Sequence, residues 1–449
     1  MKIKKVKWRN HPVLGNLELD FINPDTGIVY DTIILAGENG TGKTTILETI
    51  STFLNLGSFE SFDFIEYSIG ADTYKASPTT DGTTHKNFYD IVDSTGTIQK
   101  IRTDRSNNFQ QIETNNIDIR HYGCVFSKAR ADYKTQQITS TTTKILDADK
   151  YDNDKEDDFT SLKQLLVDIQ NQDNSDYVEL NKSLGTNPKS WPEYYPLSKI
   201  YRFKNAFDKF FDKLKYDRVV DSNNEKTLLF NKNGKTVSID NLSTGEKQIV
   251  FRGSYLLKNS KKLNGAAIMI DEPELSMHPK WQKNILNYYK DLFTENSQQI
   301  VQLFLATHSE YVLEDGLSNR TNNLIIVLNE VNGNIKVSKI VAPSVLPTIT
   351  SAETNYLAFD IVSNDYHIEL YGWLQNKTSK STVKSCDDFI KAHTAYDATI
   401  HSKPSSFCST NYDSLCTYIR NAIDHPDPSK TYSDSELRIS TELLIKLCR

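Results

Sequence analysis

Five cysteines are few for 449 residues, and no two of them stand as C-x-x-C. They do not suggest a disulfide framework, and the thiols fit a reducing compartment. No apolar run approaches the length of a membrane span. The N-terminus, MKIKKVKWRN, is basic but has no apolar stretch of the signal-peptide kind. Positive charge is not in excess either: 52 Lys and Arg face 58 Asp and Glu, a net −6. A generally basic coat for nucleic acid is thereby excluded, and only a local patch remains open. The hydrophobic fraction of 38% and charged fraction of 24% are those of a water-soluble globular chain long enough for two or three domains. These absences together predict a cytoplasmic protein that neither crosses nor anchors in a membrane.

What is present centres on Thr32 to Ile50. The apolar run Ile33-Ile34-Leu35-Ala36 predicts a buried strand. It leads into Gly37-Glu38-Asn39-Gly40-Thr41-Gly42, then Lys43, Thr44, Thr45 and a helix-forming run. This is G-x-x-x-x-G-K-[ST] between a strand and a helix, the setting its chemistry requires. Glycines let successive backbone N–H groups converge on phosphate oxygens, and the helix points its positive end at the same anion. Residues 37–45 are thus candidates to hold ATP, with Lys43 at the β- and γ-phosphates and the Thr44 hydroxyl on Mg²⁺.

Around this loop the reading is α/β. Lys2–Trp8 and Leu17–Phe21 read as strands, the lysines as solvated edge residues. Short runs such as Tyr67–Ile69, Phe88–Val92 and Ile98–Ile101 alternate with turns and predict a side sheet beside the nucleotide. Ile117–Phe126 reads as a buried strand. The acidic run from Asp147 to Asp158 reads as a solvated linker, because it lacks the central Gly and closing Glu of a calcium hand. Helices are predicted over Phe159–Leu184 and Leu197–Leu214, then a hairpin over Thr227–Ile239 around Asn233-Gly234.

Four further pieces follow in order: Leu242-Ser243-Thr244-Gly245-Glu246-Lys247-Gln248; an apolar strand, Ala266–Ile270, ending in Asp271-Glu272-Pro273-Glu274; Leu275-Ser276-Met277-His278-Pro279; and a strand, Ile300–Ala306, ending in Thr307-His308-Ser309. Together with the phosphate loop they resemble the ABC-type ATPases. The closest branch is the soluble one with repair and overcoming-lysogeny-type members, whose D-E-P-E-L-x-x-H-P form is seen here. The resemblance implies that Asp271 holds Mg²⁺ with Thr44, that Glu272 orients or deprotonates the attacking water, and that His308 senses the γ-phosphate. It also implies that Ser243, Gly245 and Glu246 close over the nucleotide of a second protomer. One chain carries each half once, so a homodimer sandwiching two ATPs is expected. Ser127–Arg130 is the candidate nucleotide-sensing loop. The insertion helices are too short for the long coiled coil of a chromosome-structural ATPase.

The expected organisation is an ATPase N-lobe over 1–145, a helical insertion over 146–225, an ATPase C-lobe over 226–345 and an all-helical module over 346–449. In that tail, helices are read over Glu353–Phe359, Ile361–Leu374, Asp387–His393, Asp413–Ile423 and from Ser433 onward. Asn10–Gly15 and Asn421-Ala422-Ile423-Asp424-His425-Pro426 resemble bacterial antiphage ATPases, such as the PtuA subunit of Septu and retron-associated systems. That likeness implies an ATPase switch controlling an HNH nuclease partner, with nucleic acid reached through the complex. Arg420 and His425 also fit the R-x4-H pattern of HEPN ribonucleases, so a self-contained RNA-cleaving enzyme is an alternative, as is a DNA-repair clamp. Cys386, His393, His401, Cys408 and Cys416 are zinc-capable types without paired zinc spacing.

Overall fold

A computed structural model describes the chain except residues 80–87, 104–112, 131–134, 143–151, 154–159, 223–224, 258–262 and 408. Most of the acidic run lies outside the described residues. The chain forms two compact units. One comprises Met1–Leu35, Asn39–Leu324 and Glu330–Val337; the other comprises Ala36–Glu38, Ile325–Asn329 and Ser338–Arg449.

In the first unit, the apolar runs read from the sequence become a parallel sheet. Strand Thr32–Gly37 pairs with Gln302–Ala306, which pairs with Ala267–Asp271, which pairs with Cys124–Ser127. These strands are buried along their whole length, as parallel strands covered on both faces must be. The register sets Leu35 against Ala306, Ala306 against Asp271, and Ile270 against Ser127. Every motif that follows a strand therefore emerges at the same, carboxyl edge of the sheet, where open α/β sheets hold ligands.

The expected side sheet is present and antiparallel. Its six strands run in the order Glu18–Asp20, Lys2–Trp8, Phe62–Ile69, Asp72–Pro78, Phe88–Asp93 and Ile98–Arg102. Three lysines of the first strand find partners: Lys2 pairs with Asp31, Lys7 lies 3.5 Å from Asp63, and Lys4 donates to Thr73. Phe53 of the phosphate-loop helix packs edge-on to Phe59 and Tyr89, joining helix and side sheet through an aromatic core.

The insertion holds helices Thr160–Leu184 and Lys199–Phe210. The second stops four residues short of the Leu214 end read from its apolar spacing. Phe211 is already extended, at φ −101° and ψ 127°, and Leu214 opens a strand to Ser222. That strand pairs with Glu225–Lys232 over eight residues and adds a third strand to the expected hairpin, Glu225–Lys232 with Lys235–Ser238 around Asn233-Gly234. Phe207 packs on Phe230 and Phe203 on Tyr216, so one aromatic stripe serves both helix and strand and masks the boundary between them.

The second unit carries helices Ser351–Phe359, Asn364–Lys377, Val383–Ala392, Leu415–Asp424 and Asp434–Cys448. Their core gathers Tyr366, Leu370, Tyr371, Leu374, Cys386 and Leu444. The expected all-helical tail also contains a hairpin, Ser402–Phe407 with Thr410–Ser414. Asp387 fixes it by accepting bonds from the backbone of Asp413 and Ser414, a tertiary tether that strand propensity does not register.

Candidate functional site

The phosphate loop keeps its glycines for reasons visible in the backbone. Gly37 has φ 136°, and a Cβ there would lie 2.1 Å from the Leu328 carbonyl oxygen. Gly42 has φ 85°, and its Cβ would lie 2.6 Å from Leu14 Cδ2. The Asn10–Gly15 loop closes on that spot, its turn fixed by His11 Nδ1 accepting from the Val13 and Leu14 amides. Gly42 is also the N-cap of helix Lys43–Leu54 and has no side chain with which to cap it. Glu38, Asn39, Gly40 and Thr44 are exposed, Thr45 is half-buried, and Thr41 and Lys43 are buried.

Across the sheet edge stand the acidic groups. Thr44 Oγ1 donates to Asp271 Oδ1 and Oδ2 at 3.1 and 3.0 Å. Burial raises the Asp271 carboxyl to about 6, against the Thr44 bonds. Burial lowers the Lys43 ammonium to about 8, against Asp271, Glu272 and Glu274, which favour its charge. Glu272 has φ 44°, the left-handed region that non-glycine residues seldom occupy. Its N–H donates to the Ala306 carbonyl at 2.9 Å, locking the turn to the neighbouring strand. His308 Nε2 lies 4.0 Å from Glu272 Oε1. Burial and then the Lys43 charge press the His308 imidazole toward its neutral form, opposed by Glu272.

Glu274, the last residue of the acidic motif, holds the histidine loop in place. Its Oε1 accepts the His308 backbone N–H at 2.7 Å, which fixes the loop bearing the histidine. Its other oxygen is sealed from solvent with no hydrogen-bond partner. Ser309 Oγ donates to Gln282 Oε1 at 2.7 Å, and Gln282 donates to the Met277 carbonyl, tying the same loop to the turn after the acidic pair.

The residues Ser243, Gly245 and Glu246 form a second local group. Ser243 donates from its N–H and its Oγ to Glu246 Oε2, both at 2.9 Å, and Lys232 closes on Glu246 Oε1 at 2.8 Å. This is a reciprocal cap on helix Thr244–Leu257. Glu246 is thus buried in its own helix start. Gly245 lies against the turn after the acidic pair, where a Cβ would meet the Ser276 carbonyl oxygen at 2.6 Å. In the candidate sensing loop, Lys128 ion-pairs with Glu48 of the phosphate-loop helix at 3.0 Å.

Thr44 and Asp271 present hard oxygens to one point, a donor set that suits Mg²⁺. Among the described residues no cluster of three or more His, Cys, Asp or Glu side chains could hold a metal. The zinc-capable set is dispersed: Cys386 and Cys416 are buried, with burial raising their thiols to about 11 and 12, and Cys408 lies outside the described residues. In the second unit Arg420 is bonded within its own helix, to Asp424 Oδ2 at 2.7 Å and Asn421 Oδ1 at 2.9 Å. His425 follows as the exposed C-cap. Among the described residues no helix is long and apolar enough to cross a membrane.

Residues 33–314, more than half of the chain, match a family described as "AAA domain, putative AbiEii toxin, Type IV TA system". The chain is 34% identical over 115 residues to the "Retron Vc95 probable ATPase" of Vibrio cholerae serotype O1 biovar El Tor, covering 24% of this chain and 21% of that protein. It is 28% identical over 213 residues to the "Retron Ec83 probable ATPase" of Escherichia coli, covering 45% of this chain and 34% of that protein. The chain therefore matches only 21% and 34% of the length of these relatives. Among solved structures it is similar to an SMC head bound to the C-terminal winged-helix domain of ScpA, at 13% identity and TM-score 0.40, covering 76% of this chain and 98% of that one. The SMC head domain from Thermotoga maritima gives 14% identity and TM-score 0.36, covering 76% and 99%.

Proposed function

The chain belongs to this AAA-domain family, and on that premise we propose that it binds and hydrolyses ATP as the switch subunit of a cytoplasmic antiphage defence complex. One observation carries the enzymatic part. Lys43, Thr44, Asp271, Glu272 and His308 come from three separate stretches of sequence and meet at the carboxyl edge of adjacent parallel strands.

The roles follow from what each group can do. The backbone of residues 37–45 receives the phosphates, and Lys43 sets its charge against the β- and γ-oxygens. Thr44 and Asp271 would hold Mg²⁺, which neutralises phosphate charge when bound. Glu272, facing His308 across 4.0 Å, orients the attacking water and accepts its proton. His308, kept neutral near Lys43, donates a hydrogen bond to the γ-phosphate and registers its departure. Ser243 and Gly245 close over the ATP of a second copy, so two chains complete two sites. Its relatives named as retron ATPases support the defence role. The likeness to Septu ATPases supports a nuclease partner of HNH type, through which nucleic acid is reached.

Replacing Glu272 with Gln keeps the shape of the site and removes the base. Glu272→Gln is expected to retain ATP binding, lower single-turnover hydrolysis by about 100-fold or more, and trap an ATP-dependent dimer in size-exclusion chromatography. Unchanged single-turnover hydrolysis would overturn the assignment. Heterodimers of Lys43→Ala and Ser243→Arg chains test the shared site: each keeps one intact ATP position, so partial activity is expected to return.

A further inference from the structure

Arg252 is a buried cation, only 2% exposed, in the middle of the helix that Ser243 and Glu246 cap. Its guanidinium reaches three main-chain carbonyls. Nη1 donates to Glu272 O at 3.1 Å; Nη2 donates to Asp271 O at 3.0 Å and to Lys128 O. These carbonyls belong to two loops, which leave adjacent strands at their carboxyl ends. A buried cation is costly unless hydrogen-bonded, and an apolar side chain would fill the space at lower cost. Only arginine offers several donors in one rigid plane, the shape needed to hold two loops at once.

Two further features show what the fork holds and what holds the fork. Glu272, whose carbonyl it grips, sits at φ 44°, a conformation that surrounding bonds must maintain. The helix itself is seated tightly on both sides of the arginine. A Cβ on Gly253 would lie 2.1 Å from the Tyr288 hydroxyl, and one on Gly245 would lie 2.6 Å from Ser276 O. A displacement of the helix start therefore cannot be absorbed by slack before it reaches Arg252.

We infer that Arg252 is a positioning residue which ties the signature helix to the water-activating carboxylate of the same chain. This rests on the ATPase reading and deepens it. The helix that closes over a second copy's ATP would, through Arg252 and the Glu272 backbone, set the geometry of hydrolysis at its own, coupling the two sites. Lys128 extends the link to the phosphate-loop helix, since it offers its carbonyl to Arg252 and its ammonium to Glu48.

The test is a double-mutant cycle read in single turnover. Arg252→Lys keeps the charge and loses the fork. It is expected to lower kcat about tenfold through misplacement of Glu272, with ATP affinity within about twofold of wild type. Added to Glu272→Gln it should cost nothing more, because the group it positions is already inactive. An equal further loss in the double variant, or a fall in ATP affinity matching the fall in kcat, would overturn the inference. Should Arg252→Lys fail to fold, Gly253→Ala probes the same seat. It should lower kcat, and Tyr288→Phe, which removes the clashing hydroxyl, should restore it; no loss, or a loss without rescue, overturns the inference. A Lys43→Ala control separates the two readings. Hydrolysis that survives Lys43→Ala overturns the ATPase reading and this inference with it. Lys43-dependent hydrolysis indifferent to Arg252→Lys overturns the inference alone.

Discussion

The phosphate-loop helix and the tail helices of this chain begin in opposite ways. Helix Lys43–Leu54 starts behind Gly42, a cap with no side chain. Five tail helices start behind Thr350, Ser363, Thr382, Ser414 and Ser433, and each of these side chains accepts a hydrogen bond from its own helix's first turn. A cap spends a helix's first N–H groups on the chain itself, whereas an uncapped start suits an anion from outside. Buried polar groups follow the same division. Asp387 in the tail is wholly enclosed and accepts from Asp413 N, Ser414 N and Ser414 Oγ, a closed set that holds a hairpin to a helix. Around Glu272 the comparable bonds hold a residue in the left-handed region, with its carboxylate 4.0 Å from the His308 ring. Burial of polar groups signals function in this molecule where it maintains strain, and architecture where it closes on itself.

The most direct way to break the comparison is to give the phosphate helix a tail-type start. Gly42→Ser supplies a capping hydroxyl but requires a side chain at φ 85°, with its Cβ against Leu14. ATP affinity is expected to fall on the order of 100-fold, as equilibrium nucleotide binding would show. Binding within a few-fold of wild type would mean that the glycine serves chain geometry only.

The tail should in turn respond to acid where the ATP site does not define the effect. His367 is fully buried, and burial alone lowers its imidazole to about 3 from an ordinary 6.5. Its Nε2 shares a hydrogen bond with Ser440 at 2.8 Å, joining helices Asn364–Lys377 and Asp434–Cys448. The unfolded chain protonates this group below pH 6.5, and the folded one does not until about pH 3. Its stabilising contribution is therefore complete above pH 6.5 and lost as pH falls, by about 2 kcal/mol at pH 5. Hydrogen exchange of these two helices at pH 7 and 5 measures the loss. His367→Gln should flatten the dependence over that interval.

The contrast also explains what could be read before the structure. Lys43, Asp271, Glu272 and His308 were legible because each follows an apolar strand within a few residues, and parallel pairing then brings strand ends together without further information. Glu274 was visible in the motif, but its bond to the His308 amide spans 34 residues of sequence and leaves no local trace. Arg252 left a trace that went unread: an arginine set among Ile249, Val250, Phe251 and Gly253 on a helix is a cation placed where apolar residues pack. Ser243 and Glu246 fit a capping pattern as well as a nucleotide contact, and the structure shows them bonded to each other. The misplaced helix end at Leu214 and the missed tail hairpin share one cause. In both, contacts from distant residues outweighed local propensity.

Glu274 offers a finer test of how the head holds its loops. Glu274→Ala removes the acceptor for the His308 N–H, and a fall in kcat of about tenfold is expected, with KM little changed. Glu274→Gln keeps an acceptor oxygen and should restore most of the rate. Equal loss in both variants would assign the effect to charge and not to positioning of the histidine loop.

The smallest effect is expected at Arg420 and His425, and it decides whether the tail holds chemistry at all. Arg420 is committed inside its helix to Asp424 and Asn421, and His425 stands exposed at the helix end. An i,i+4 ion pair of this exposure contributes about 0.5 kcal/mol or less. Arg420→Ala should therefore leave folding, dimerisation and ATP hydrolysis within experimental scatter of wild type, and His425→Ala likewise. A ribonuclease site would behave otherwise, because an arginine and a histidine acting together would supply charge stabilisation and proton transfer to a reacting phosphate. Purified chain incubated with ATP, Mg²⁺ and total tRNA distinguishes the two. Intact tRNA is the expected result. Cleavage abolished by either substitution would place a second active centre in the unit whose polar groups otherwise close on themselves.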